Sequence, residues 1–387
     1  MAYIGRTPTS SALTSSDITD GVITTAKIAD SAVTAEKIVT DTNFRNIIIN
    51  GDMSVAQRAA SKTSITASGN YTIDRFGTGA SSAGTWTQSK STEVPTGQGF
   101  VSSLKMDCTT AQGSLSSNDR LQISHKFEGQ NLQFLKKGTS SAESLTLSFW
   151  VRSNKTGTYV CELYDTDNTR HIAKSYTISS ADTWEKKTIT YPGDTSGAFD
   201  NDNAESLAVY FWLVAGSTFN ASGNLATSWA SVGNSARASD QVDLSDSTDN
   251  EWYVTGVQLE AGSVASDFEF LPVDVNIKRC ERYFFKSYEI GTAVPTATNN
   301  SSLGRFLDDS GDYASIQLPM NRMRATPTTV LYNPVTNTTA SIRSDSSNHA
   351  AATFGIGSNG GGWAHANGNT ITAHTGSRVH FTFDSEL

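Results

Sequence analysis

The segment Ser144–Ser153 (SLTLSFWVRS) constrains the fold more than any other part of this sequence. Leu145, Leu147, Phe149 and Val151 alternate with Thr146, Ser148, Trp150 and Arg152, and a period of two marks a strand with one apolar face. Segments of similar length and pattern recur at Tyr71–Gly77, Gly84–Lys90, Gly99–Asp107, Arg120–Phe127, Thr156–Tyr164, Thr169–Ile178, Thr183–Tyr191, Ser206–Ala215 and Trp252–Glu260. Turn-forming clusters separate them, such as Asn154–Gly157 (NKTG), Asp165–Thr169 (DTDNT) and Pro192–Gly197 (PGDTSG). About ten short strands with turns between them predict an all-β fold, with a two-sheet sandwich of the jelly-roll type over residues 44–272. Gln130–Lys137 (QNLQFLKK) predicts one short helical turn at the sandwich edge.

Composition agrees. Charged residues make up 17% of the chain, against roughly 25% in ordinary soluble domains, and Ser, Thr, Asn, Ala and Gly take their place. The formal net charge is −9. An acidic chain without basic clusters cannot neutralise a phosphate backbone, so no nucleic-acid partner is expected. The longest apolar run, Leu207–Gly216 (LAVYFWLVAG), is half of the about 20 residues a membrane helix needs. It reads as a strand buried on both faces, and no membrane insertion is expected. The opening MAYIGRTPTSS lacks the apolar core of a secretory signal. Cys108, Cys161 and Cys280 are odd in number and have no metal-like spacing. They read as buried thiols in a chain made in a reducing cytosol.

Residues 1–43 are of another kind. ITDGVITTAK (Ile18–Lys27) is followed by IADSAVTAEK (Ile28–Lys37), and Ile38 opens a third copy. Ile18, Ile23, Ile28, Val33 and Ile38 recur at fixed positions, and so short a segment cannot bury them within one chain. Identical chains wound about a common axis would cover them; a disordered polar linker is the alternative.

MAYIGRTPTS followed by this repeat resembles the N-terminal parts of tail-fibre proteins of marine tailed bacteriophages. The resemblance implies virion attachment through the first residues, with Tyr3, Ile4 and Arg6 among them, and a homotrimeric shaft built on Ile18, Ile23, Ile28, Val33 and Ile38. A second resemblance covers Arg45–Ala59 (RNIIINGDMSVAQRA), YTIDRFG, LTLSFWVRS and Val254–Phe284 (VTGVQLEAGSVASDFEFLPVDVNIKRCERYF). Together these are similar to a jelly-roll domain of phage fibres that in turn looks like carbohydrate-binding modules. Ser266-Asp267 before Phe268 departs from that pattern. Residues 273–387 are expected to form a small C-terminal β tip domain. It would open with a helical link over Asp274–Arg282 and a strand over Arg282–Tyr288. Ile316–Tyr332 and Val379–Leu387 resemble the domains that follow the jelly roll in such fibres.

The resemblance implies a structural bacteriophage tail fibre protein. It would be attached by its N-terminus to the phage tail or to baseplate or adaptor proteins, and would bind a host cell-surface glycan for adsorption. Its place would be the virion, assembled in the host cytoplasm. Two alternatives stand beside it: a purely structural adaptor or short fibre linking another adhesin to the tail, and a capsule or peptidoglycan hydrolase.

Catalytic motifs do not favour the hydrolase. The sequence has no GxSxG, HExxH or Walker loop, and an enzyme is not expected. His349, His365, His374 and His380 could converge on a metal only if distant strands met. Asp165/Asp167, Asp200/Asp202, Asp243/Asp246/Asp249 and Asp308/Asp309/Asp312 are ordinary turns that would also suit a structural calcium; no other cofactor is expected. Ser358–Thr370 (SNGGGWAHANGNT) reads as an exposed Gly- and Asn-rich loop. Trp363 in it, with His365 and Asn367, is the candidate sugar contact, because sugar CH faces stack on aromatic rings.

Overall fold

The structure, a computed structural model, describes residues 44–306, 315–318, 322–344, 347–354, 357–358, 362–366 and 376–387. Tyr3, Ile4, Arg6, the shaft residues Ile18, Ile23, Ile28, Val33 and Ile38, and the sites Asn367, His374 and Asp308/Asp309/Asp312 lie outside the described residues. Arg45–Leu387 forms one contact unit.

The first eleven strands build a β-sandwich. They are β1 (Ser61–Gly69), β2 (Gly77–Ser91), β3 (Ser103–Thr110), β4 (Arg120–Glu128), β5 (Leu145–Ser153), β6 (Gly157–Asp165), β7 (Arg170–Ile178), β8 (Glu185–Tyr191), β9 (Glu205–Ala215), β10 (Ala230–Ser231) and β11 (Glu251–Ala261). Every pairing among them is antiparallel. One sheet runs β10-β7-β6-β9-β4-β2 and the other β2-β3-β11-β5-β8, with β1 beside β2.

The long strand β2 belongs to both sheets. Gly77–Ser81 pair with β4, whereas Thr85–Ser91 pair with β3. The transfer happens at Gly84, whose φ is +81° and whose missing Cβ would stand 2.5 Å from the Thr110 carbonyl oxygen. Only glycine adopts that backbone without strain, and the ladder shifts register just after it.

Alternation places the apolar faces of the two sheets against one another. Phe149 of β5 meets Tyr176 of β7 at 5.1 Å and Phe211 of β9 at 5.2 Å, and Phe211 meets Trp252 of β11 at 5.9 Å. Trp86, Trp212 and Trp252 are fully buried. Each such side chain contributes about 1.5–3 kcal/mol by leaving water. The three cysteines are buried and unbridged, and burial pushes the Cys161 and Cys280 thiols well up.

One strand is added to those expected, and two expectations change in detail. Ser61–Gly69 is a strand although Ile65 is its only buried residue. Tyr71–Gly77 is not a strand, because Arg75 takes a φ of 72° and the chain turns there. The helical turn expected over Gln130–Lys137 is two 3-10 turns, Gly129–Asn131 and Gln133–Leu135.

After β11 the chain enters a short helix, α1 (Val273–Glu281), directly behind Pro272. A second antiparallel β-assembly follows. Its hub is β19 (Gly376–Asp384), paired with β12 (Phe284–Lys286), β13 (Leu303–Phe306), β15 (Thr328–Tyr332) and β16 (Ser341–Ser344). β17 (Ser347–Phe354), β18 (Gly362–Ala366) and β14 (Ser315–Leu318) extend it outward. Its core holds Leu318, Met323, Leu331, Ile342, Val379, Phe381 and Phe383.

Polar and apolar contacts join the two assemblies. Arg282 donates to the Glu128 carboxylate, and Arg58 donates to Asp384 at 2.9 Å. Arg75 pairs with Glu386. Ile49 and Val55 pack with Cys280 and Tyr283.

Candidate functional site

Trp363 and His365, two of the residues proposed from sequence for sugar contact, lie in a strand. Gly362–Ala366 is not part of an exposed loop: it is β18, paired on one edge with β14 and on the other with β17. Trp363 stands opposite Gln317 and Phe354, and His365 opposite Ser315 and Ala352. The Gly- and Asn-rich composition of Ser358–Thr370 averages over a five-residue stretch that has no glycine after Gly362, and this stretch pairs on both sides. Of the other candidate metal histidines, two are described: His349 is buried, and His380 lies between Ser287 Oγ at 2.9 Å and the Thr298 carbonyl at 3.0 Å. Among the described residues no three His, Cys, Asp or Glu side chains are grouped so as to hold a metal. Asp165 contacts Lys137 and Asn168, and Asp246 contacts Lys155 and Asn250.

A groove lies on the outer face of the first sheet. Its cavity is about 340 Å³. Strand register explains which side chains reach it. Residues directly opposite in neighbouring strands share a face. Gly77 of β2 lies opposite Ser124 of β4, Ser124 opposite Tyr210 of β9, and Tyr210 opposite Glu162 of β6. The next row carries Gly79, Gln122 and Trp212. Inward-facing Leu121, Ile123 and Phe127 alternate with outward-facing Arg120, Gln122, Ser124 and Lys126.

Two absent side chains make the space. A Cβ on Gly77 would meet Asn70 Oδ1 at 2.8 Å, and one on Gly79 would meet Gln122 Oε1 at 3.2 Å. Ser68, Gly69 and Asn70 at the end of β1 form one rim, and Arg75, Glu386 and Leu387 another. Tyr210 closes the far wall. Its ring is half-buried, and burial raises its hydroxyl well above the ordinary tyrosine range, ahead of Glu205.

Beyond Tyr210 the face is already filled. The buried Glu162 carboxylate accepts from Arg237 at 2.8 and 3.0 Å, from Trp212 Nε1 at 3.0 Å, and lies 2.9 Å from His171 Nδ1. The Arg237 guanidinium sits 5.0 Å from the Tyr164 ring, 5.3 Å from Trp212 and 5.7 Å from Tyr210. Phe219 and Ala238 pack over Val160, Ala173 and Trp212, so the segment after β9 covers that half. The open groove therefore ends at Tyr210.

Two buried donors at the groove lack partners. Gln122 Nε2 and Arg75 Nε make no hydrogen bond among the described residues, and their residues are 5% and 4% exposed. Leaving a buried donor unmade costs about 1–3 kcal/mol, a cost found where ligands or water complete a site.

Sequence reasoning missed this groove. Alternate glycines in a strand, Gly77 and Gly79, were the available signal, since glycine in a strand marks a close approach.

Among known proteins, no family model matches the chain, and no curated protein matches it either. Solved structures similar to it include the enzymatically active domain of tailspike protein 4 of bacteriophage CBA120, at 11% identity and a TM-score of 0.29 over 56% of this chain. This chain spans 21% of that protein's length. A putative sugar-binding protein from Bacteroides thetaiotaomicron matches at 11% identity and a TM-score of 0.29, over 56% of this chain and 99% of that one. A family 11 carbohydrate-binding module from Clostridium thermocellum, solved with a mixed-linked tetrasaccharide, matches at 13% identity and a TM-score of 0.26, over 54% and 99%. These likenesses are too distant to bear on what this chain binds.

Proposed function

We propose that this chain is a glycan-binding protein whose ligand groove is the outer face of the first sheet, between Asn70 and Tyr210. The observation that carries the reading is the glycine floor: Gly77 and Gly79 line a trough of about 340 Å³, and a Cβ at either would crowd Asn70 or Gln122 in its wall. Ligand sites are concave and of about this size, roughly 300–1,000 Å³. The Tyr210 ring offers a stacking face, and Ser124, Gln122 and Asn70 offer hydrogen-bonding groups for hydroxyls.

The role is binding rather than hydrolysis. A glycosidase needs two carboxyl groups across the scissile bond. Among the described residues Glu386 is the only acidic side chain lining the groove, and it is engaged by Arg75 and Arg58. The wider setting we propose is a homotrimeric tail fibre in a phage virion, held to the tail by its N-terminal segment. The decapeptide repeat of Ile18–Lys37 and the resemblance to phage fibres support that setting.

The test is binding of the full-length protein to host surface polysaccharide by calorimetry, beside the Gly79→Val variant. Binding by wild type and its loss in Gly79→Val, with the melting curve kept, supports the groove. Equal binding by both proteins overturns it. Mass measurement of the full chain tests the trimer: a stable monomer at micromolar concentration removes it.

A further inference from the structure

The inference concerns the charge of the ligand and rests on the reading above. The lining side chains of the groove bring three cations, Arg75, Arg120 and Lys126, against one carboxylate, Glu386, in a chain of net charge −9. Arg75 is spent on Glu386, and Lys126 holds Glu205 at 2.8 Å. Arg120 is different. Among the described residues it has no carboxylate partner, and its guanidinium only approaches the Phe219 ring, at 5.7 Å. Arg58, Arg152, Arg170, Arg237 and Arg282, by contrast, each hold a carboxylate within 3.0 Å. A guanidinium left unpaired on a groove of an acidic protein is held ready for an outside anion.

Its surroundings agree. Arg120 lies opposite Ser81 on β2 and Ala215 on β9, neither of which is bulky. Gln122, two residues on, shares the face and carries an unpartnered buried amide nitrogen, and Arg75 carries an unpartnered buried Nε. The unsatisfied groups are thus all donors, and they ask for acceptor oxygens. We propose that the groove selects anionic sugars, with the carboxylate of a uronic acid or the sulfate of a sulfated sugar seated on Arg120. Both present two or more coplanar or convergent oxygens to the guanidinium fork.

The test is calorimetry of the full-length protein with oligouronates, sulfated oligogalactans and neutral oligoglucans, at low and high salt. Binding of one anionic class, weakened by salt and about tenfold or more by Arg120→Gln, with partial recovery in Arg120→Lys, supports the proposal; the two anionic arms tell carboxylate from sulfate. Were Arg120→Gln to unfold, Ser81→Asp carries the same test, because it sets a carboxylate directly opposite Arg120 on the neighbouring strand. Neutral sugars bound as tightly as anionic ones, with no effect of Arg120→Gln, would overturn the proposal and leave the glycan groove standing. No binding of any sugar, host polysaccharide included, would overturn both.

Discussion

The Arg282 guanidinium grips the Glu128 carboxylate through hydrogen bonds of 2.7 and 2.6 Å. Glu128 ends β4 of the sandwich and has no exposed side-chain surface, while Arg282 follows α1 and leads into the second β-assembly. The Tyr283 hydroxyl donates to the same carboxylate at 2.6 Å. Burial alone would raise the Glu128 carboxyl, but the Arg282 and Tyr283 hydrogen bonds outweigh it and hold the group below the usual carboxylate range.

Arg282→Ala leaves that carboxylate buried with Tyr283 and Gln130 as its remaining donors. Removing one partner of a buried pair costs about 3–5 kcal/mol, and the lower end is expected here. A denaturant melt should show a single transition at lower midpoint. Two separated transitions would mean instead that the two assemblies unfold independently of this contact.

Acid should destabilise the protein from about pH 6.5 downward, well before carboxylates titrate. Burial, then Arg75 and Arg279, hold the His125 imidazole well below its ordinary 6.5, and burial lowers His380 despite its bond to Thr298. The unfolded chain takes protons on these rings that the folded chain refuses, so stability falls as the pH drops below 6.5. His125 lies between Phe76 at 5.1 Å and Phe127 at 4.9 Å, so His125→Phe suits its surroundings. That variant loses the acceptor for the Ile49 amide and should melt lower at pH 8. Its melting temperature should nevertheless fall less steeply between pH 7 and pH 5. Parallel curves for the two proteins would remove His125 as the cause.

Lys137 fills a pocket of oxygens. Its ammonium lies 2.6 Å from Asp165 and 3.2 Å from Asp194, and donates to the Ser196 and Gly197 carbonyls at 2.9 and 2.7 Å. Lys137→Met should cost on the order of 3 kcal/mol, because two buried carboxylates lose their ammonium. Lys137→Ser leaves two carboxylates and two carbonyls around a space, the donor set a hard cation prefers. Its melting temperature should rise on adding calcium, while that of wild type should not. An equal calcium response in both proteins would sink this expectation.

How far the sequence discloses the molecule depends on which face of a strand is consulted. Inward faces are legible: the alternation in Leu145–Ser153 and the apolar run in Glu205–Ala215 give β5 and β9 directly. Ser61–Gly69 is not, since a strand with one buried residue has no hydrophobic period to detect. The groove is less legible still. Strand register brings Gln122 and Tyr210 to one face, and segments outside the strands carry Asn70, Arg75 and Glu386 to it. Trp363 stands in a Gly- and Asn-rich stretch of sequence, but its strand pairs with β14 and β17. Local composition cannot report hydrogen bonding supplied from elsewhere in the chain.

Because β2 passes from one sheet to the other at Gly84, the floor of the groove and the wall of the core are successive stretches of one continuous backbone. Gly79 lines the trough, and Trp86, seven residues on, is wholly buried. The floor of the trough therefore cannot open by local fraying of an edge: β2 is flanked on both sides, by β4 or β3 and by β1. Amide protons of Gly77–Ser81 should exchange with solvent only through the rarest, most global openings of the sandwich, as slowly as those beside Trp86. A binding face with that property is rigid before it meets its ligand, and little ordering entropy is left for the ligand to offset.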